Sequence, residues 1–254
     1  MLNTITNSRK LHRADNLSDF ALRGIDENIG TIKGFYFDDR HWTIRYIIAN
    51  TGNWLTGRQV LISPYSLDAV YNEEKFIAVN LTQKQIEDSP TFETDQAFSR
   101  QFEDEYNTYY GLPTYWNGPN MWGTEPRITR GANMRRELAP GEQMGDRQLH
   151  NTSDVNGYDI EASDGEIGDV KDFIIDDETW AIRYLIVDTG GWLPGKKVLI
   201  APQWIERVSW EESKVFINLS RDAIEKSPEF TEELTRDYEA GLYKHYNRQG
   251  YWID

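Results

Sequence analysis

Phe37-Asp38-Asp39-Arg40-His41-Trp42-Thr43-Ile44-Arg45-Tyr46-Ile47-Ile48-Ala49-Asn50-Thr51-Gly52-Asn53-Trp54-Leu55 returns, nearly word for word, as Ile175-Asp176-Asp177-Glu178-Thr179-Trp180-Ala181-Ile182-Arg183-Tyr184-Leu185-Ile186-Val187-Asp188-Thr189-Gly190-Gly191-Trp192-Leu193. The correspondence holds at one offset without a gap, from Leu11-His12 and Leu149-His150 through Ser89-Pro90 and Ser227-Pro228. It is densest between Gly30 and Leu81, and it resumes two positions out of register where Tyr115-Trp116 answers Tyr251-Trp252. Solenoid units repeat every ~20 to 50 residues, so a period this long marks a duplicated domain.

Within the first copy, residues 31–37 and 42–50 are rich in aromatic and β-branched side chains and flank the polar turn Asp38-Asp39-Arg40-His41, which predicts a hairpin. Alternation places Trp42, Ile44, Tyr46 and Ile48 on one strand face, expected to look inward, and Thr43, Arg45, Ile47 and Ala49 on the other. Residues 59–62 and 76–81 predict further short strands, with Pro64 and Pro202 breaking the chain after Val60-Leu61-Ile62 and Val198-Leu199-Ile200. Many short strands in a compact unit favour a small barrel. Thr82 and Ser220 are placed as N-caps of short helices carrying Ile86 and Ile224. A longer amphipathic helix follows each barrel, read from the stripes Phe98, Phe102, Tyr106, Tyr110 and Leu234, Tyr238, Leu242.

The 254 residues contain no cysteine, which excludes disulfides, thiolate metal sites and Cys nucleophiles. Half of such a chain buries enough surface for a core without staples. Residues 1–10 lack a signal peptide's apolar run and no stretch has the length of a membrane span, so the expectation is a cytoplasmic protein. A formal net charge of −15 repels phosphate backbones and anionic lipid, arguing against nucleic acid or a membrane as a general partner. Between the copies, Asn117-Gly118-Pro119-Asn120-Met121-Trp122-Gly123-Thr124-Glu125-Pro126 and a stretch bearing Arg127, Arg130, Arg135 and Arg136 read as a connector. The predicted partition is a first barrel with its helix over 1–116, a linker over 117–145 and a second barrel with its helix over 146–254.

The turns Asp38-Asp39 and Asp176-Asp177-Glu178 gather oxygens of the kind that bind hard cations, but aspartate is also the ordinary residue of a solvated turn. Arg45 and Arg183 sit inside apolar strands, where a guanidinium needs a carboxylate partner or serves in recognition of an anion or a protein. Trp54 and Trp192, in the repeated Thr-Gly-x-Trp-Leu-x-Gly segment, read either as packing over a barrel end or as anchors for a partner, and Met121-Trp122 looks the more exposed. The four histidines form no His-Glu-x-x-His pair, and neither a Gly-x-Ser-x-Gly elbow nor a phosphate loop is present. No catalytic residue, cofactor or metal ligand is assigned.

The words Asp-Asp-x-x-Trp-x-Ile-Arg-Tyr, Thr-Gly-x-Trp-Leu-x-Gly and Val-Leu-Ile-x-Pro resemble the PRC-barrel family, named for the cytoplasmic domain of the photosynthetic reaction centre H subunit. Asp164-Gly165-Glu166-Ile167-Gly168-Asp169-Val170 looks like that family's opening strand and turn, and residues 26–32 are a looser version. The resemblance implies a mainly β fold with accessory helices: two tandem small barrels, each followed by an amphipathic helix. It also implies a binding or assembly platform with no common catalytic residues. The expectation is a non-catalytic interaction module for an unidentified protein partner, or a homo-oligomer, with Trp54, Trp192, Met121, Trp122, Arg45 and Arg183 as partner-binding candidates. The alternative is a sensor of a small ligand or cation at the acidic turns or in a cleft between the barrels.

Overall fold

The computed structural model describes residues 10–55, 58–92, 98–128, 149–231 and 233–253. They divide into two compact units, Met1–Thr152 with Asp176–Ala181, and Ser153–Ile175 with Ile182–Asp254. Residues 117–128 of the expected linker belong to the first unit, and 129–145 lie outside the described residues.

The first unit contains Leu11–Arg13 (β1), Ala14–Leu17 (α1), Ala21–Arg23 (β2), Asn28–Asp38 (β3), Thr43–Asn50 (β4), Gln59–Ile62 (β5), Leu67–Tyr71 (β6), Phe76–Val79 (β7), Gln83–Glu87 (α2), Arg100–Tyr110 (α3) and Leu149–Asn151 (β8). Its sheet runs β5-β4-β3-β2-β7-β6, with β8 added on β3. The chain continues through Thr152–Val155 (α4), Asp159–Ala162 (β9), Gly165–Asp176 (β10), Ile182–Asp188 (β11), Lys197–Ile200 (β12), Ile205–Ser209 (β13), Lys214–Ile217 (β14), Arg221–Glu225 (α5) and Arg236–His245 (α6). The second unit repeats the order as β12-β11-β10-β9-β14-β13. The fold is mainly β with accessory helices, in two tandem small barrels.

The backbone repeats as closely as the words do. Register shifts between Ile32 and Gly34 in β3, and between Val170 and Asp172 in β10, mark bulges that bend each long strand. A Cβ on Gly30 would collide with the carbonyl of Asn50, and one on Gly168 with that of Asp188, so both positions require glycine. Trp42 and Trp180 turn out of their hairpins with φ of 49° and 58°. That left-handed step takes Trp42 out of the expected alternation and stacks it on Phe37, 5.2 Å between centroids.

Thr43 through Ala49 are all buried, so β4 is covered on both faces. The Tyr46 and Ile48 face receives α3, where Tyr106 joins them and Leu61 under Phe98, Phe102 and Tyr110. Tyr106 also ties helix to strand by polar contacts: its hydroxyl donates to the Leu61 carbonyl and accepts from Ser63 N–H, both at 3.0 Å. The short helices start as their sequence requires, with Thr82 accepting from Gln85 N–H in a capping box and Ser220 accepting from Ala223 N–H.

Candidate functional site

The polar centre of each unit is a glutamate in the first turn of its long helix. Glu103 is buried, and its Oε1 accepts from the Tyr46 hydroxyl at 3.2 Å and the Tyr115 hydroxyl at 2.6 Å. Its Oε2 takes Arg100 Nη1 at 2.9 Å, one helical turn away. In the second unit Glu239 repeats this, with Tyr184 at 2.8 Å, Tyr251 at 2.6 Å and Arg236 at 2.9 Å. Arg100 lies 4.0 Å over the Trp116 ring and Arg236 4.3 Å over that of Trp252. Each cluster therefore pins one helix and the following Tyr-Trp pair to a barrel strand.

Burial raises the hydroxyl pKa of Tyr46, Tyr115 and Tyr184 above the ordinary tyrosine value, and the neighbouring glutamate adds to this, so all three stay protonated and donate. Burial also raises Glu103, outweighing the hydrogen bond from Tyr115 and the Arg100 charge that pull it down. A carboxylate with both oxygens engaged by protein donors acts as a latch between elements.

Beside the first latch lies Arg45. Its Nε donates to Asp38 Oδ2 at 2.6 Å, its Nη2 lies 2.6 Å from the same oxygen, and both side chains are wholly buried. The guanidinium carbon stands 4.0 Å from the Tyr115 ring centroid and 4.6 Å from that of Trp122. Burial pulls the Asp38 pKa upward, but Arg45 and the hydrogen bonds from His41 outweigh it, and the value falls from 3.8 to about 2. Trp122, the side chain expected to be exposed, is 2 % exposed: its Nε1 donates to the Thr179 carbonyl at 3.0 Å and its ring meets Tyr65 edge-on. In the second unit Arg183 stacks on Tyr251 at 4.2 Å and is half-buried.

Trp54, Trp192 and Met121 keep accessible surface. The two tryptophan loops are clamped alike. Thr51 Oγ1 donates to the carbonyls of Leu55 and Arg58, and Thr189 Oγ1 to those of Leu193 and Lys196. Arg58 then donates to the carbonyls of Glu87 and Ser89, while Lys196 does the same for Glu225 and Ser227, a cation at a helix C-terminus both times. Trp54 Nε1 donates to the Ile29 carbonyl at 2.7 Å, and Arg221 lies 4.6 Å from the Trp192 ring centroid.

At the acidic turns, Asp176 accepts from the Glu178 and Thr179 backbones and the Thr179 hydroxyl. Asp177 takes Lys10 N–H and His12 Nε2, both at 2.9 Å; Glu178 pairs with Arg127, and Asp39 lies 3.5 Å from His150 Nε2. These oxygens already face protein donors or cations. Among the described residues no group of three or more acidic, histidine or cysteine side chains is arranged to hold a metal ion.

Sequence reasoning missed Arg100, Glu103 and their equivalents, because it took each long helix as an apolar stripe. The usable signal was the slipped repeat, since Arg100, Glu103, Tyr115 and Trp116 all recur 136 residues on, the same slip that Tyr-Trp shows.

Two short bent barrels, each locked to a helix by a buried glutamate, define a tandem small-barrel protein. The PRC-barrel domain model matches residues 10–86 and 149–224, and the chain belongs to the PRC-barrel family. An uncharacterized protein of Deinococcus radiodurans is 31% identical over 87 residues, which span 34% of this chain and 30% of that relative. The helical half of each latch, Arg100, Glu103 and Tyr115 or Arg236, Glu239 and Tyr251, lies outside the matched segments. Among the described residues no helix is long and apolar enough to cross a membrane.

Proposed function

We propose that the chain is a non-catalytic protein-interaction or assembly module of the cytoplasm. The observation that carries this reading is the tryptophan loop built twice: a half-exposed indole on a segment held by a threonine clamp and a cation-capped helix. An aromatic on a pre-organised loop loses little conformational entropy on binding, and aromatic residues anchor protein interfaces. The buried glutamates and Asp38, by contrast, spend their chemistry inside the fold. Of the partner-binding candidates, Trp54, Trp192, Met121 and Arg183 retain surface to present, while Arg45 and Trp122 support from within.

The test is capture from a lysate of the source organism on immobilised full chain, beside a Trp54→Ser, Trp192→Ser double variant checked for folding by circular dichroism. The expected result is a protein retained by the wild type and lost from the variant. Equal retention overturns the role of the loops, and no retained protein in a chain that sedimentation velocity shows to be monomeric overturns the module itself. Limited proteolysis tests the proposed partition, with first cuts expected within 117–145.

A further inference from the structure

The two tryptophan loops are clamped alike and differ in what lies on the indole. In the first unit the donors are spent within the fold: Trp54 Nε1 donates to the Ile29 carbonyl at 2.7 Å, and the Gln83 side-chain amide donates to the Asn28 carbonyl at 2.8 Å. Arg221 stands where the repeat places Gln83. The backbone bond is kept, since Gln83 N–H donates to Asp26 at 3.0 Å and Arg221 N–H to Asp164 at 2.7 Å. The side chain changes role, and the guanidinium carbon of Arg221 stands 4.6 Å from the Trp192 ring centroid. Both side chains keep accessible surface. Among the described residues, neither the Arg221 guanidinium nor the Trp192 indole N–H has a hydrogen-bond acceptor or a carboxylate partner, and none of these nitrogens is buried.

We propose that Trp192 and Arg221 form a docking site for the carboxylate of an acidic side chain in a protein partner. A guanidinium and an indole N–H offer donors only, so the ligand must bring acceptors. A guanidinium fork holds a carboxylate by two parallel bonds, and stacking on an aromatic face leaves that fork pre-organised. Charge selects the same ligand. The chain carries 42 acidic residues against 27 lysines and arginines, and exposed cations such as Lys84, Lys226 and Arg236 find carboxylates within it. Arg221 finds none among the described residues, so its fork is available to a carboxylate from outside. The loop under the indole is fixed before anything binds, with Thr189 clamping it and Lys196 tying it to the end of α5.

This deepens the interaction reading and rests on it, but the two fail separately: capture that survives Arg221→Gln removes this site and leaves the module standing. The probe is the capped peptide acetyl-Gly-Glu-Gly-Glu-Gly-amide, titrated to about 10 mM against the full chain at low salt, with the glutamine analogue as control. Indole N–H and arginine Nε–H resonances report binding. The expected result is movement at Trp192 and Arg221 with none at Trp54, whose N–H is already bonded to the Ile29 carbonyl. In Arg221→Gln the response at Trp192 is expected to be about tenfold weaker.

No movement at Trp192 and Arg221 in the wild-type titration overturns the proposal, whether or not any variant folds. An equal response to the glutamine peptide, or one unchanged at Trp192 in folded Arg221→Gln, also overturns it. Inorganic phosphate at matched ionic strength is expected to move these resonances less than the peptide does; an equal or larger response to phosphate overturns an acidic side chain in favour of a phosphate ligand.

Discussion

Arg45 and Arg183 occupy the same place in two copies of one sentence, yet the first is sealed and the second keeps surface. Both stack on a tyrosine that a buried glutamate holds, so the copies share the latch, and the first stack also carries Trp122, a residue outside the repeated words. Duplicating a motif duplicates its hydrogen bonds. It does not duplicate burial, which is set by whichever segment later lies across it.

The sharpest way to break this comparison is to remove the two arginines in turn. Arg45→Met strands the Asp38 carboxylate without its cation in a dry interior and is expected to cost about 3–5 kcal/mol. Arg183→Met removes a half-buried guanidinium stacked on Tyr251 and is expected to cost less than Arg45→Met. Urea midpoints and slopes for the two variants read the difference, and equal losses would remove the distinction between the units.

Next come the latches, where the units are expected to agree. Glu103→Leu and Glu239→Leu each leave two tyrosine hydroxyls and an arginine without their acceptor, a loss of about 3 kcal/mol for either. A large loss from one and none from the other would show that the matching geometry conceals different energetics.

Asp38 gives the first unit a pH signature. Its folded pKa of about 2 lies below the unfolded 3.8, so its contribution of about 2 kcal/mol is present above 3.8 and is lost as pH falls through 2. The stability gap between wild type and Asp38→Asn is therefore expected to close over that range. Glu103 works in the opposite sense: its folded pKa lies above the ordinary 4.5, so ionisation weakens the fold as pH rises through that value, and the gap to Glu103→Leu narrows. Unfolding midpoints across acid pH measure both. Smallest is the cation at each short helix, where Arg58→Ala and Lys196→Ala are expected to cost about 1 kcal/mol apiece by thermal unfolding.

The fold was legible because its signals are local or repeated. The constant offset marked a duplication, β-branched and aromatic runs around Asp38-Asp39 marked a hairpin, and Thr82 and Ser220 marked helix starts. The latch was harder to read because Tyr46 and Glu103 are 57 residues apart, and no local pattern announces that a helix's glutamate will face a strand's tyrosine. Trp122 was misjudged for a related reason: a Gly- and Pro-rich neighbourhood predicts a solvated connector, whereas the indole found a buried guanidinium and the Thr179 carbonyl.

The most direct test of the account is hydrogen exchange at the arginine Nε–H groups of wild type and Trp122→Gly, read from one side-chain spectrum. Arg45 is expected to be strongly protected in the wild type and to exchange at least about tenfold faster in the variant, with the rate at Arg183 unchanged between the two. An Arg45 that stays equally protected without Trp122 would contradict the claim that this tryptophan seals the first stack.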